Sequence, residues 1–119
     1  MKEYLKNIIE FNDVEAVFFI GKTPSVAYIS EKYQLEFKTG TLPDIQEIVS
    51  FINILGSANE AELLFTQRRI YIRKLEDACL VIVLGFTTPT PMLQLNCDIV
   101  IPELIKQTKP KGLGRFFRK

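Results

Sequence analysis

Three short runs decide the fold: Ala61-Glu62-Leu63-Leu64-Phe65-Thr66, Arg69-Ile70-Tyr71-Ile72-Arg73-Lys74-Leu75 and Ala78-Cys79-Leu80-Val81-Ile82-Val83-Leu84. In each, apolar residues predominate, and only Gln67-Arg68 and Glu76-Asp77 separate them. Connections this short join antiparallel neighbours, so residues 61–84 read as a meander. The third run carries no polar alternation and therefore needs both of its faces covered, which places it in the middle of a sheet. The other two are mixed, as strands nearer an edge are.

Val14 to Ile20 is a second run apolar on both faces, closed by Gly21-Lys22-Thr23-Pro24 and followed by a strand over Ser25–Ser30. The pair reads as a hairpin beside the meander. Leu5, Ile8 and Ile9 with Tyr4 fall at helical spacing within residues 2–12, up to Asn12-Asp13. A second helix starts at Thr41 or Pro43, places Ile45, Ile48, Val49, Ile52 and Leu55 on one face, and stops at Gly56. A third runs from Met92 to Gln107 with Met92, Leu95, Ile99 and Leu104 as its apolar set and Pro102 as an expected kink. The order is α-β-β-α-β-β-β-α, an α+β class.

The 119 residues, at 47% hydrophobic and 24% charged, make one globular domain. There is no histidine, which removes Ser-His-Asp and Cys-His nucleophile systems and His-ligated zinc. Cys79 and Cys97 are too few for an all-cysteine zinc site; Cys79 reads as a core residue, and Cys97 is reactive only if exposed. No metal or cofactor is expected. The carboxylate pairs Glu60/Glu62 and Glu76/Asp77 fall at turns or strand ends, where they solubilise rather than catalyse. Gly21-Lys22-Thr23 imitates the end of a phosphate-binding loop. Ala16 stands where that loop needs glycine, and a strand follows instead of a helix, so the hairpin reading holds.

Charge is unevenly placed. Residues 1–105 carry nine bases and fourteen acids, a net −5, whereas 106–119 carry six bases and no acid, a net +6. Residues 1–107 therefore read as the domain and 108–119 as a basic, flexible tail. That tail holds Lys111, Arg115, Phe116, Phe117, Arg118 and Lys119, which together suit an anionic membrane or an acidic protein more than nucleic acid. The mixed-charge start of the chain is unlike a signal peptide, and Gly85, Pro89 and Pro91 break the uncharged stretch 78–97, so a cytoplasmic location is expected.

The second helix carries one further message. Phe51 and Ile54 extend its apolar surface past the core stripe, leaving only Gln46, Glu47, Ser50 and Asn53 as a polar strip. A helix lying on a sheet with its other side wet is not apolar over more than half its circumference, so these two residues are expected to be covered, by a protein partner and first of all a second copy of the chain, or else by the loop 31–42 folding over them.

This order of elements resembles the roadblock (dynein light-chain) family, including its bacterial MglB-like members. The resemblance runs from Leu5 to about Ile105 and is carried by Val14-Glu15-Ala16-Val17-Phe18-Phe19-Ile20, by the run Ile45 to Leu55, and by Leu80 to Leu84 leading into Met92-Leu93-Gln94-Leu95. It implies a five-stranded antiparallel sheet with the second helix on one face and the other two on the opposite face. It also implies a dimer joined through the third strand and the second helix, with Ile48, Phe51, Ile54, Leu55, Leu64 and Thr66 at the interface. The family's role would make the chain a non-catalytic scaffold or regulator of a small Ras-like GTPase, as a homodimer or with a sister chain. The alternative is a ligand-sensing or structural scaffold module. Arg68, Arg69 and Arg73 are the body's only arginines, and none is assigned as an arginine finger. Pro102 and the Phe-Phe tail depart from the family pattern.

Overall fold

The computed structural model describes residues 5–21, 24–31, 50, 52–53, 56–75 and 78–108, with only the backbone of 24–27 and 107–108. The described elements are α1 (Lys6–Ile9), β1 (Val14–Ile20), β2 (Pro24–Ile29), β3 (Glu60–Leu64), β4 (Arg69–Lys74), β5 (Cys79–Leu84) and α2 (Thr90–Thr108). The strands form one five-stranded sheet in the order β2-β1-β5-β4-β3, with every pairing antiparallel.

β5 is the central strand, and all six of its residues are buried. That position follows from its composition, because an uninterrupted apolar strand leaves no side to face water. β1 lies beside it in the register Val17↔Ile82, Phe18↔Val81 and Phe19↔Leu80, and the hairpin to β2 closes with Ile20 opposite Pro24. The hairpin reading of Gly21-Lys22-Thr23 is thereby met. β4 is an interior strand despite Arg69, Arg73 and Lys74, with Arg69, Ile70, Tyr71 and Ile72 all buried.

Alternation splits the interior into two layers. On the first face Leu5, just before α1, Ile8 of α1 and Leu93, Cys97, Val100 and Leu104 of α2 pack over Val17, Tyr71, Leu80, Ile82 and Leu84. The second face carries Ala16, Phe18, Ile20, Ile70, Ile72, Cys79, Val81 and Val83, with Ile52 against them. Ser50, Ile52 and Asn53 are helical, with Ser50 and Asn53 exposed, as the sequence pattern places them. The remainder of the expected second helix lies outside the described residues. Gly56 has a φ of 64°, a left-handed conformation that strains any residue with a Cβ, which accounts for a glycine where the helix is read to stop.

Three sequence expectations change. The first helix was expected over 2–12, but only Lys6–Ile9 is helical among the described residues, because Glu10 to Asp13 turn to deliver β1. The third helix starts two residues early, at Thr90, with Pro91 at a first-turn position where a missing N–H costs nothing. It continues through Pro102 to Thr108, one residue into the stretch read as tail. Its inward set is also different. Leu93, Cys97, Val100 and Leu104 are buried, whereas Met92, Leu95 and Ile99 are exposed.

Candidate functional site

The outer edge of the sheet is where the sequence and its resemblance place the functional surface. β3 ends the sheet beyond β4, in the register Glu60↔Arg73, Glu62↔Tyr71 and Leu64↔Arg69. Flanking bonds from Lys74 N–H to the Asn59 carbonyl and from Phe65 N–H to the Arg68 carbonyl, both 2.8 Å, fix which residues bond across the pair. Antiparallel alternation then turns the backbone N–H and C=O groups of Glu60, Glu62 and Leu64 away from β4, toward the edge. Leu64 is 68% exposed, Phe65 is partly exposed beside it, and Thr66 is exposed in the turn. Of the expected interface residues, Leu64 and Thr66 lie at this edge; Ile48, Phe51, Ile54 and Leu55 lie outside the described residues.

On the first face, a polar seam ties β3 and β4 to one side of α2. Thr90, Gln94 and Asp98 recur every four residues along that helix, so they share a side. Thr90 Oγ1 donates to Glu62 Oε2 at 2.8 Å, Gln94 Nε2 to Glu60 Oε2 at 3.0 Å, and Asp98 accepts from Arg73. Tyr71 donates to Glu60 at 2.6 Å and accepts from Arg73 at 3.1 Å. The bonds from Tyr71 and Gln94 hold the Glu60 carboxyl below its ordinary pKa. Burial and the bond to Glu60 raise the Tyr71 phenol above its own. Burial opposes the charge on Arg73, but its bonds to Asp98 and Tyr71 outweigh that and raise its pKa. Glu60 and Glu62 are thus anchors for α2, more than the solubilising carboxylates that the sequence suggested.

A deeper cluster closes the adjoining end of the sheet around Arg69, which is 5% exposed. Its guanidinium donates to the Gly85 carbonyl at 2.8 Å, to the Thr88 carbonyl, to Thr90 Oγ1 at 3.0 Å and to Glu62 at 3.3 Å. Asp13 stands 3.9 Å away and accepts from both the N–H, at 2.9 Å, and the hydroxyl of Thr88. Burial works against the Asp13 charge, yet these bonds from Thr88 keep its pKa below the ordinary value. Asp13 also accepts Gly85 N–H through its carbonyl at 2.9 Å, and a Cβ on Gly85 would meet Asp13 Cβ at 3.4 Å. One arginine therefore fastens the α1–β1 corner, the β5–α2 loop and the start of β4.

All three body arginines are tied to acids of their own chain: Arg68 to Glu15 at 3.0 Å, Arg69 to Glu62, and Arg73 to Asp98. Both cysteines are buried, so the condition set for a reactive Cys97 is not met. Burial pushes the Cys97 thiol up to about 12 and raises that of Cys79. Neither residue is expected to react with iodoacetamide at mildly alkaline pH in the folded protein, and both react once urea is added. Rapid native labelling of Cys97, read by mass spectrometry, would contradict this.

Among the described residues no group of three or more His, Cys, Asp or Glu side chains is placed to hold a metal ion. The tail residues Lys111, Arg115, Phe116, Phe117, Arg118 and Lys119 lie outside the described set, as do Glu76 and Asp77. Sequence reasoning missed the Arg69 cluster, because its partners Asp13, Glu62, Gly85, Thr88 and Thr90 come from separate segments and share no motif. No family model matches the sequence, and comparison with curated proteins gave no match.

Proposed function

We propose that the chain is a non-catalytic adaptor or regulator of a small Ras-like GTPase, built and dimerised as roadblock proteins are and working in the cytoplasm. The observation that supports this most is the position of β3 at the end of the sheet, with Leu64 outward and the alternate backbone groups of Glu60, Glu62 and Leu64 turned to the edge. A dimer joined through the third strand requires that strand to be an edge, and a second β3 would satisfy those groups. Phe51 and Ile54 would be covered in the same step by the partner's second helix. A sister chain of the same family could take the place of the second copy.

Light scattering tests the assembly and affinity capture tests the partner. The protein is expected at twice its 13.7 kDa chain mass. Phe51→Glu combined with Ile54→Glu is expected to halve that mass while circular dichroism shows a folded chain. An unmutated protein that is monomeric at micromolar concentration refutes the dimer. Capture from native lysate is expected to enrich a Ras-like GTPase when a non-hydrolysable GTP analogue is present; recovery of only this chain or sister chains would leave a scaffold and refute the GTPase.

A further inference from the structure

β3 is held to the rest of the chain differently from the strands beside it. None of its five residues is buried, whereas four of six are buried in β4 and all six in β5. Neither buried layer contains a β3 residue; Leu63 packs, partly buried, against the second. Apolar burial therefore does little to hold this edge, and a segment with few buried apolar groups is where a fold opens first.

Its carboxylates supply what burial does not. Glu60 and Glu62 alternate onto one face of the strand, and each bonds to both neighbouring elements. Glu60 accepts from Tyr71 of β4 at 2.6 Å and from Gln94 of α2 at 3.0 Å. Glu62 accepts from Arg69 of β4 at 3.3 Å and from Thr90 of α2 at 2.8 Å. Such bonds weaken when the acid takes a proton, because the charge that strengthens them is gone. Weakening at both sites leaves β3 with its backbone ladder to β4 and the contact of Leu63. Asp13 also bonds through its carboxylate, but it adjoins a corner that Val14 and Leu84 bury, so the same loss is a smaller share of what holds it.

We infer that β3 is an acid-released edge strand: the carboxylates of Glu60 and Glu62 latch it to β4 and α2, and their protonation frees it while β1, β5 and β4 stay paired. Its release uncovers the outer edge of β4 along the buried run Ile70-Tyr71-Ile72, a pairing template for another strand. Around the latch, β4 contributes Arg69, Tyr71 and Arg73, α2 contributes Asp98 and the protonated thiol of Cys97, and Asp13 stands 3.9 Å from Arg69. Tyr71, Cys97 and the arginines keep their protons in acid, so only the carboxylates change charge. The bonds from Tyr71 and Gln94 hold the Glu60 carboxyl below its ordinary value of 4.5. A carboxyl lowered on folding stabilises above that ordinary value and loses its contribution as pH falls through the folded one, so the release lies below pH 4.5. All four carboxylate bonds lie within one chain, so neither a second copy nor a GTPase is needed.

Amide hydrogen exchange followed by NMR tests the release. Ala61 and Leu63 direct their N–H groups to β4, and Val81 and Ile82 lie in the central strand. Glu60→Gln with Glu62→Gln fixes both side chains in a neutral form. Near neutral pH this variant is expected to exchange Ala61 and Leu63 roughly tenfold or more faster than the parent, with Val81 and Ile82 within about twofold. The parent, taken below pH 4.5 and corrected for the intrinsic effect of pH on exchange, is expected to show the same split. This acid series needs no variant and so decides the matter even where the double substitution does not fold. Unchanged exchange at Ala61 and Leu63 overturns the latch. Equal acceleration at all four amides overturns it as well, because β3 would then open only with the whole sheet.

Discussion

Replacing Arg69 with methionine is expected to lower the free energy of unfolding by about 3 kcal/mol, the lower end of the cost of removing one member of a buried ion pair. The lower end applies because Glu62, one of the acids left behind, retains 31% side-chain exposure and can recover some hydration. Asp13 cannot do so as readily, with 10% exposure. The Gly85 and Thr88 carbonyls and the Thr90 hydroxyl lose their donor at the same time. Arg69→Lys keeps the charge but cannot reproduce a planar fork that reaches three segments, so a loss of about 2 kcal/mol is expected. Urea titration reads both values. A methionine variant within 1 kcal/mol of the parent would show that the cluster is dispensable.

A second large effect is expected at the centre of the sheet. Ile82→Ala should cost about 3 kcal/mol, and Val81→Ala about 2 kcal/mol, from lost apolar burial and the cavity that remains. Ile82 belongs to the layer under α1 and α2, and Val81 to the opposite layer with Ile52. Both are 0% exposed. The comparison is informative because Ile52, from the run read as the second helix, packs on the layer of Val81, whereas α1 and α2 pack on the layer of Ile82. If Val81→Ala cost under 0.5 kcal/mol while Ile82→Ala cost its full amount, the second face would be loosely covered in solution.

Strand identity was legible because it rests on local chemistry. The apolar runs 14–20 and 79–84 state their own burial, and the two-residue connections of the meander allow only antiparallel neighbours. Helix phase was less legible. Met92, Leu95 and Ile99 fit a period of 3.6 as well as Leu93, Cys97, Val100 and Leu104 do, and Leu104, read with the first three, belongs by angle to the second set. The choice between them is made by Thr90, Gln94 and Asp98, which must meet Glu62, Glu60 and Arg73 across the seam.

Arg69 shows the same limit from the other side. In sequence it is one of two adjacent arginines after a turn, with nothing to separate it from Arg68. In the fold it stands opposite Leu84 and Leu64 and meets Asp13, Gly85, Thr88 and Thr90. Asp13 and Thr88, which bond each other, are 75 residues apart in the chain.

The α+β class, the five strands, their antiparallel sense within the meander and hairpin, and the central place of β5 all follow from residues near one another in the chain. The meeting of distant segments set the rest: β4 is interior with its arginines bonded to acids from elsewhere in the chain, and α2 turns Met92, Leu95 and Ile99 outward. Those outcomes depend on partners distant in the chain, whose meeting neither periodicity nor composition encodes.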